Sequence, residues 1–200
     1  MLMNCKYFAR NPIISVFLLF CMVSCATQSN SSQFSPVYLT NRAQFYLLPA
    51  SEIEFPVDKA QQISIIFDGQ ELTMGAWVKA DENGIDIAMF NVMGIGMGDF
   101  SFSDSGVSLN SPVFPPNFMA EYLAADFQLC YFKPESLKKA LNIIKLNFDI
   151  ELTQNEQGLP VEIRRISDSG RKIIEITKTG NEIRYNNILR NYGFILMEAE

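Results

Sequence analysis

The side chains that ordinarily carry chemistry are few in this sequence. There is no histidine among its 200 residues, which removes the commonest general base, the commonest metal ligand and every Ser-His or Cys-His nucleophile pair. Asp99, Asp104 and Asp126 are the nearest approach to a paired-carboxylate set. Two of the three stand in turn contexts where Asp is ordinary, so solvated or capping roles are expected rather than acid-base catalysis. Asp81-Glu82-Asn83 lacks the ligand spacing of a calcium loop. In Val92-Met93-Gly94-Ile95-Gly96-Met97-Gly98 glycine alternates with large apolar residues, but a phosphate-cradling loop needs a strand-to-helix context and a following Lys. The run therefore has two open readings: a glycine-kinked buried strand or bulge, or an apolar loop, through Val92, Met93, Ile95 and Met97, that touches a bilayer or a cargo. Lys138 and Lys139 read as a solvated helix face, and Arg164 and Arg165 as strand and turn charges. No catalytic residue, metal or cofactor is expected.

The four cysteines are unevenly placed: Cys5, Cys21 and Cys25 lie in the first 25 residues and only Cys130 in the body. Lys6 and Arg10 precede an apolar run from Ile13 to Val23. Eleven helical residues span about 17 Å, short of the ~30 Å hydrocarbon core, so the run reads as the apolar part of an export signal. Met22-Val23-Ser24-Cys25 resembles the bacterial lipobox, in which a small residue precedes a cysteine that is acylated and becomes the new N-terminus. The resemblance implies acylation of Cys25, with a signal peptide over 1–24 and, through the polar Thr27 to Ser32 tract, a flexible tether over 25–36. Ala26 after the cysteine resembles the sorting pattern of lipoproteins sent to the outer membrane. Residues 1–24 hold two basic and no acidic side chains, leaving 14 basic against 22 acidic, net −8. Such a body should cling neither to anionic lipid nor to nucleic acid. Cys130, with no body cysteine to pair with and apolar neighbours Leu129, Tyr131 and Phe132, is expected to be a buried thiol.

Residues 37–200 then form one domain. At 48% hydrophobic and 19% charged the chain can fill a core. Period-two alternation from Gln61 to Ser111, punctuated by Asp68-Gly69, Asp81 to Gly84 and Asp104 to Gly106, predicts an antiparallel meander. Alternation resumes from Leu146 to Met197 with turns at Asn155 to Gly158, Asp168 to Gly170 and Thr179 to Asn181. Between the two blocks, Asn117 is a plausible cap for a helix from Phe118 to about Tyr131. Its apolar residues run nearly all round, so it must be surrounded on most sides. Pro134 suits the first turn of a second helix with Leu137, Ala140 and Leu141 buried. Strands, helices, then strands predict an α+β fold: a single curved antiparallel sheet, an incomplete barrel, with helices packed in its concave side. Trp77 and the sixteen Phe residues are assigned to core and lumen.

The stretch from Phe118 to Leu129, with its Ala125-Asp126-Phe127-Gln128-Leu129, followed by the Pro134-started helix, resembles a family of bacterial lipoproteins found beside aryl-polyene-type pigment biosynthesis genes. The closing strands, with Ile173-Ile174-Glu175-Ile176 and Asn187 to Leu196, are similar to that family's ending. The family is in turn similar in expected architecture to the LolA and LolB lipoprotein carriers, incomplete barrels whose apolar interior shelters acyl chains. The resemblance implies an outer-membrane-anchored periplasmic lipoprotein that binds or delivers a lipophilic cargo, a polyene lipid or a lipoprotein acyl chain. It also implies a lumen lined by Phe118, Tyr122, Leu123 and Phe127, with a periplasmic carrier or exporter as a possible partner. The alternatives are a non-catalytic accessory lipoprotein that docks an envelope export or assembly complex, its barrel filled by its own helix, and a His-independent hydrolase or transferase, which the residue inventory disfavours.

Overall fold

The computed structural model describes residues 34–198; the expected signal segment, Cys25 and most of the expected tether lie outside the described residues. Ten strands make one sheet, all neighbours antiparallel, in the order β7-β6-β5-β4-β3-β12-β11-β10-β9-β8. The meander comprises β3 (Val57–Phe67), β4 (Gln70–Asp81), β5 (Gly84–Phe90), β6 (Gly96–Ser103) and β7 (Gly106–Asn110). The helices α1 (Ala120–Tyr131) and α2 (Pro134–Ile143) follow. The second block is β8 (Asn147–Gln154), β9 (Pro160–Asp168), β10 (Arg171–Thr179), β11 (Glu182–Asn187) and β12 (Tyr192–Glu198). The last strand returns to pair with β3, from Tyr192 opposite Phe67 to Glu198 opposite Gln61. It thereby joins the two blocks, while β7 and β8 remain as open edges. The expected open antiparallel sheet with two helices is what the structure has.

The sheet's curvature follows from what α1 touches. The helix packs against β7, bonds through Asp126 to β11 and β12, and receives Arg164 of β9 at its C-terminal end. In a flat sheet β7 and β9 stand eight spacings apart, about 38 Å at ~4.8 Å per strand. A helix about 10–12 Å across reaches both only if the sheet curls round it. Alternation along the strands supplies the apolar concave face: Met74, Ala76, Val78 and Ala80 on β4, Ile85, Ile87 and Met89 on β5, Phe100 and Phe102 on β6, Ile174 and Ile176 on β10 are all buried. Trp77 departs from its expected place. It lies between Ala76 and Val78, on the convex face, half exposed, with its indole N–H donating to Asp58 at 2.8 Å.

The other side of α1 has a cover that no sequence pattern signals. A short ribbon, β1 (Val37–Tyr38) paired with β2 (Gln44–Phe45), and a 3-10 turn (Ala50–Glu52) bury Val37, Leu39, Phe45, Leu47 and Ala50. Phe34 is already part of this packing, its ring 5.6 Å from that of Phe102. Enclosed on both sides, α1 buries every residue from Ala124 to Tyr131, as its all-round apolar pattern demands. It starts at Ala120 rather than Phe118, with no side-chain cap from Asn117, because Pro115 and Pro116 feed a turn in which Phe118 N–H bonds to the Pro115 carbonyl. In α2, Pro134 occupies the first turn, and Leu137 and Leu141, one turn apart, are fully buried.

In a meander the turns alternate between two ends. One end carries the β3–β4, β5–β6, β9–β10 and β11–β12 connections, the polar Asp168-Ser169-Gly170 turn among them, and the approach to α1; the other carries β4–β5, β6–β7, β8–β9 and β10–β11. The turns of the second end are polar, with Glu82-Asn83, Asp104-Ser105, Glu156-Gln157 and Gly180-Asn181. The first end exposes Phe67, Leu72, Val92, Met93, Ile95, Phe118, Met119, Ile188 and Leu189.

Candidate functional site: an apolar rim and the polar seam beneath it

Two stretches form the centre of the apolar end, and neither contains a charged residue: Asn91 to Gly98 and Ser111 to Met119. They are tied together. The Ser111 hydroxyl donates to the Met97 carbonyl at 2.6 Å and accepts the Val113 N–H at 3.2 Å. The close approach depends on Gly98, whose φ is +123° and where a Cβ would fall 2.2 Å from the Asn110 carbonyl oxygen. The loop tip is ordered by Asn91, whose side-chain oxygen accepts the N–H groups of Met93 and Ile95 at 2.9 and 3.0 Å. Val92 and Met93 consequently stand 87% and 76% exposed and Ile95 58%, while Met97 is half-buried against the core. Of the two readings of this run, the buried strand does not hold for Val92 to Ile95. The bulge does hold in part, since the β5–β6 register shifts between Met89 and Phe90. Phe118 and Met119 add exposed apolar surface at the same end, and Phe114 packs on Phe118 with ring centroids 5.0 Å apart.

The residues expected to line a lumen separate. Phe118 precedes the helix on the rim, Tyr122 and Leu123 are half-buried in its first turn, and Phe127 is buried and stacks on Tyr131 at 4.3 Å. Below the rim, Asp126 joins helix to sheet. One carboxylate oxygen accepts the Tyr185 hydroxyl and the other the Tyr192 hydroxyl, each at 2.6 Å. This corrects the expectation for Asp126, which is neither solvated nor a cap. Asp104 accepts the Ala50 N–H at 3.0 Å, a structural role in keeping with its turn position. Above Asp126, Arg190 lies over the Tyr122 ring, 5.1 Å from its centroid, and donates to the Tyr38 carbonyl.

Burial raises the Asp126 carboxyl to about 6, outweighing the Tyr185 and Tyr192 hydroxyls and Arg190, which favour its ionised form. The folded state therefore holds this proton more tightly than the unfolded chain does. The stability it contributes is full below the ordinary carboxylate range and is lost as pH rises through about 6. Asp126→Asn, which cannot ionise, should change in stability relative to the parent by roughly 2–3 kcal/mol between pH 4 and pH 7. Denaturant titrations of both proteins at the two pH values check this; a constant difference would contradict it.

Lower still, Arg164 is the expected strand charge, on β9, and it is fully buried. Its Nη1 donates to the carbonyls of Leu129 and Phe132 at 3.2 and 2.9 Å, at the C-terminal end of α1. Its remaining nitrogens reach Glu54 at 2.7 Å and Glu162 at 2.6 Å, and Lys178 joins both acids at 3.5 and 3.1 Å. Gln128 is equally buried and pairs with both backbone groups of Leu48 at 2.9 Å, as an adjacent strand would. Only the polar types of Asp126, Gln128 and Arg164 on otherwise apolar faces could have marked these positions in advance. Cys130 is the expected buried thiol, pushed up to about 12 by burial.

Among the described residues no group of acids and cysteines is placed to hold a metal, and no helix is long and apolar enough to cross a membrane. Two open hollows of about 270 Å³ lie at strand ends, one around Gly193 with Asp68, Arg184 and Asn191, the other around Gly84 with Asp81, Asp86 and Ser101. Residues 58–198 match the family described as "Protein of unknown function (DUF3261)". No curated protein matches the chain.

Proposed function

The chain belongs to the DUF3261 family, and we propose that it is a periplasmic lipoprotein, anchored in the outer membrane through acylated Cys25, that handles a lipophilic cargo at its apolar rim. The observation that carries this reading is the pair of uncharged segments joined through Ser111 and Met97, which hold Val92, Met93, Ile95, Phe118 and Met119 in water. A soluble domain gains nothing from that exposure unless something apolar covers it. An acyl chain or polyene contacting the rim leaves water at about 0.8 kcal/mol per CH₂. With no charge in either segment, recognition rests on hydrocarbon rather than on a headgroup.

The likeness to the LolA and LolB carriers enters here as the fold analogy behind this reading. In this chain α1 occupies the concave side, so the cargo is placed at the mouth, above Tyr122 and Asp126, rather than deep between the sheet walls. The packing of α1 also favours a second reading, an accessory lipoprotein whose rim docks an envelope export complex and which carries no cargo. The residue inventory supports a role without catalysis in either case.

Anchoring is tested by metabolic labelling with an alkyne fatty acid in a bacterial host. The parent chain should incorporate label and sediment with outer membranes, and Cys25→Ser should lose both. Equal labelling of the variant would overturn the assignment. Mass spectrometry of lipids co-purifying with the body from Ser32 onward separates the two readings: a defined lipid lost in Val92, Met93 and Ile95 variants supports cargo handling, and its absence supports the accessory role.

A further inference from the structure

The far edge of the sheet offers a surface that the rim does not account for. β8 is the last strand, with no strand on its outer side among the described residues. Of its eight residues only Phe148 is buried, and the six from Asp149 to Gln154 are all exposed. Ile150 and Leu152 are 38% and 77% exposed although they stand in register with Arg164 and Glu162, on the face that curls round α1. Sheet edges are ordinarily shortened, bulged or blocked by Pro or Lys. The opposite edge, β7, has five residues and lies against α1. β8 holds no Pro, Lys or bulge; α2 lies against it, its edge charges are Asp149 and Glu151, and its pairing with β9 runs unbroken from Asn147 to Gln154.

Its side chains say what could lie there. The convex face of β8 carries Asp149 and Glu151. On the paired side Asp149 stands opposite Arg165 in register, and Glu151 takes the Arg165 guanidinium at 2.5 Å. A second copy adding edge to edge with twofold symmetry must set convex residues opposite convex ones. Both registers that engage seven of the eight residues then place Asp149 opposite Glu151, or Glu151 opposite itself, so like charges oppose self-pairing. A strand that alternates apolar and basic residues meets no such conflict.

We propose that β8 is a strand-addition site for an extended segment of a partner protein in which apolar and basic residues alternate. Its backbone continues the ladder, its apolar side chains extend the Ile150 and Leu152 stripe, and its Lys or Arg residues face Asp149 and Glu151. The test is hydrogen exchange on the full chain with the synthetic peptide Lys-Val-Lys-Val-Lys-Val-Lys-Val and its isomer Lys-Lys-Lys-Lys-Val-Val-Val-Val. The alternating peptide should slow exchange of the β8 amides that point away from β9, the isomer should not, and the double variant Asp149→Asn, Glu151→Gln should bind about tenfold more weakly. Unchanged β8 exchange at saturating peptide, equal protection by the isomer, or undiminished binding to the double variant would each overturn the proposal. So would β8 protection without peptide in a dimer seen by sedimentation, which would assign the edge to a second copy.

Discussion

Replacing Arg164 by alanine should destabilise the protein by about 3–5 kcal/mol, the largest effect expected of any single exposed or buried polar position. The side chain is wholly buried and serves three partners at once: the C-terminal carbonyls of α1, Glu54 from the segment that covers the helix, and Glu162 from its own strand. Removing it leaves two carboxylates and two carbonyls short of a donor. Lys178, at 3.1 to 3.5 Å from the acids, can compensate for only part of the charge. Burial opposes ionisation of Glu162, yet Arg164 and Lys178 outweigh it and hold that carboxyl below its ordinary range. Loss of Arg164 lets burial dominate, so Glu162 takes up its proton more readily in the folded variant, and the variant's deficit relative to the parent should narrow as pH falls toward the ordinary carboxylate range. Denaturant midpoints measured at pH 7 and pH 5 check both; a loss below 1 kcal/mol would mean that the node is not holding α1 in place.

The second large effect concerns the rim. Val92, Met93 and Ile95 project from a loop whose conformation is set by Asn91 and Gly98, not by their own packing. Changing all three to serine should therefore leave stability within about 0.5 kcal/mol of the parent. The same change removes on the order of 4 kcal/mol of transfer free energy when the loop enters hydrocarbon, about a thousandfold in partition. Flotation of the Ser32-onward body with neutral phosphatidylcholine vesicles should lose the bound fraction in the variant, and adding anionic lipid to the vesicles should not strengthen parent binding. Binding that rises with anionic lipid would point to a charged contact elsewhere.

The alternation of β3 through β12 and their turn residues were legible because period-two patterning and Asp-Gly or Asn-Gly punctuation are local properties. The all-round apolar helix was legible for the same reason, and its burial followed. The ribbon of residues 37 to 45 was not, since two-residue strands carry no periodicity and are held by contact with α1. Asp126, Gln128 and Arg164 were misplaced or passed over because all their partners but Glu162 lie 32 to 110 residues away in sequence, and a lone polar residue gives no local sign of them. The Val92 to Gly98 run was ambiguous because apolar residues flanked by glycine suit a buried strand or an exposed tip equally. Asn91 settles it through a local turn, and Ser111 and Gly98 through contacts with Met97 and Asn110 on the neighbouring segment.

The rim should enter lipid while the opposite end stays in water. Cys130 is buried and held protonated, so a cysteine placed at Met93 or at Asn83 in the Ser32-onward body can be labelled selectively with an environment-sensitive fluorophore. On mixing with phosphatidylcholine vesicles, the label at position 93 should shift to the blue and be quenched by spin-labelled acyl chains, and the label at position 83 should do neither. A label at 93 that stays unshifted and unquenched at saturating lipid, or one at 83 that responds equally, would contradict it.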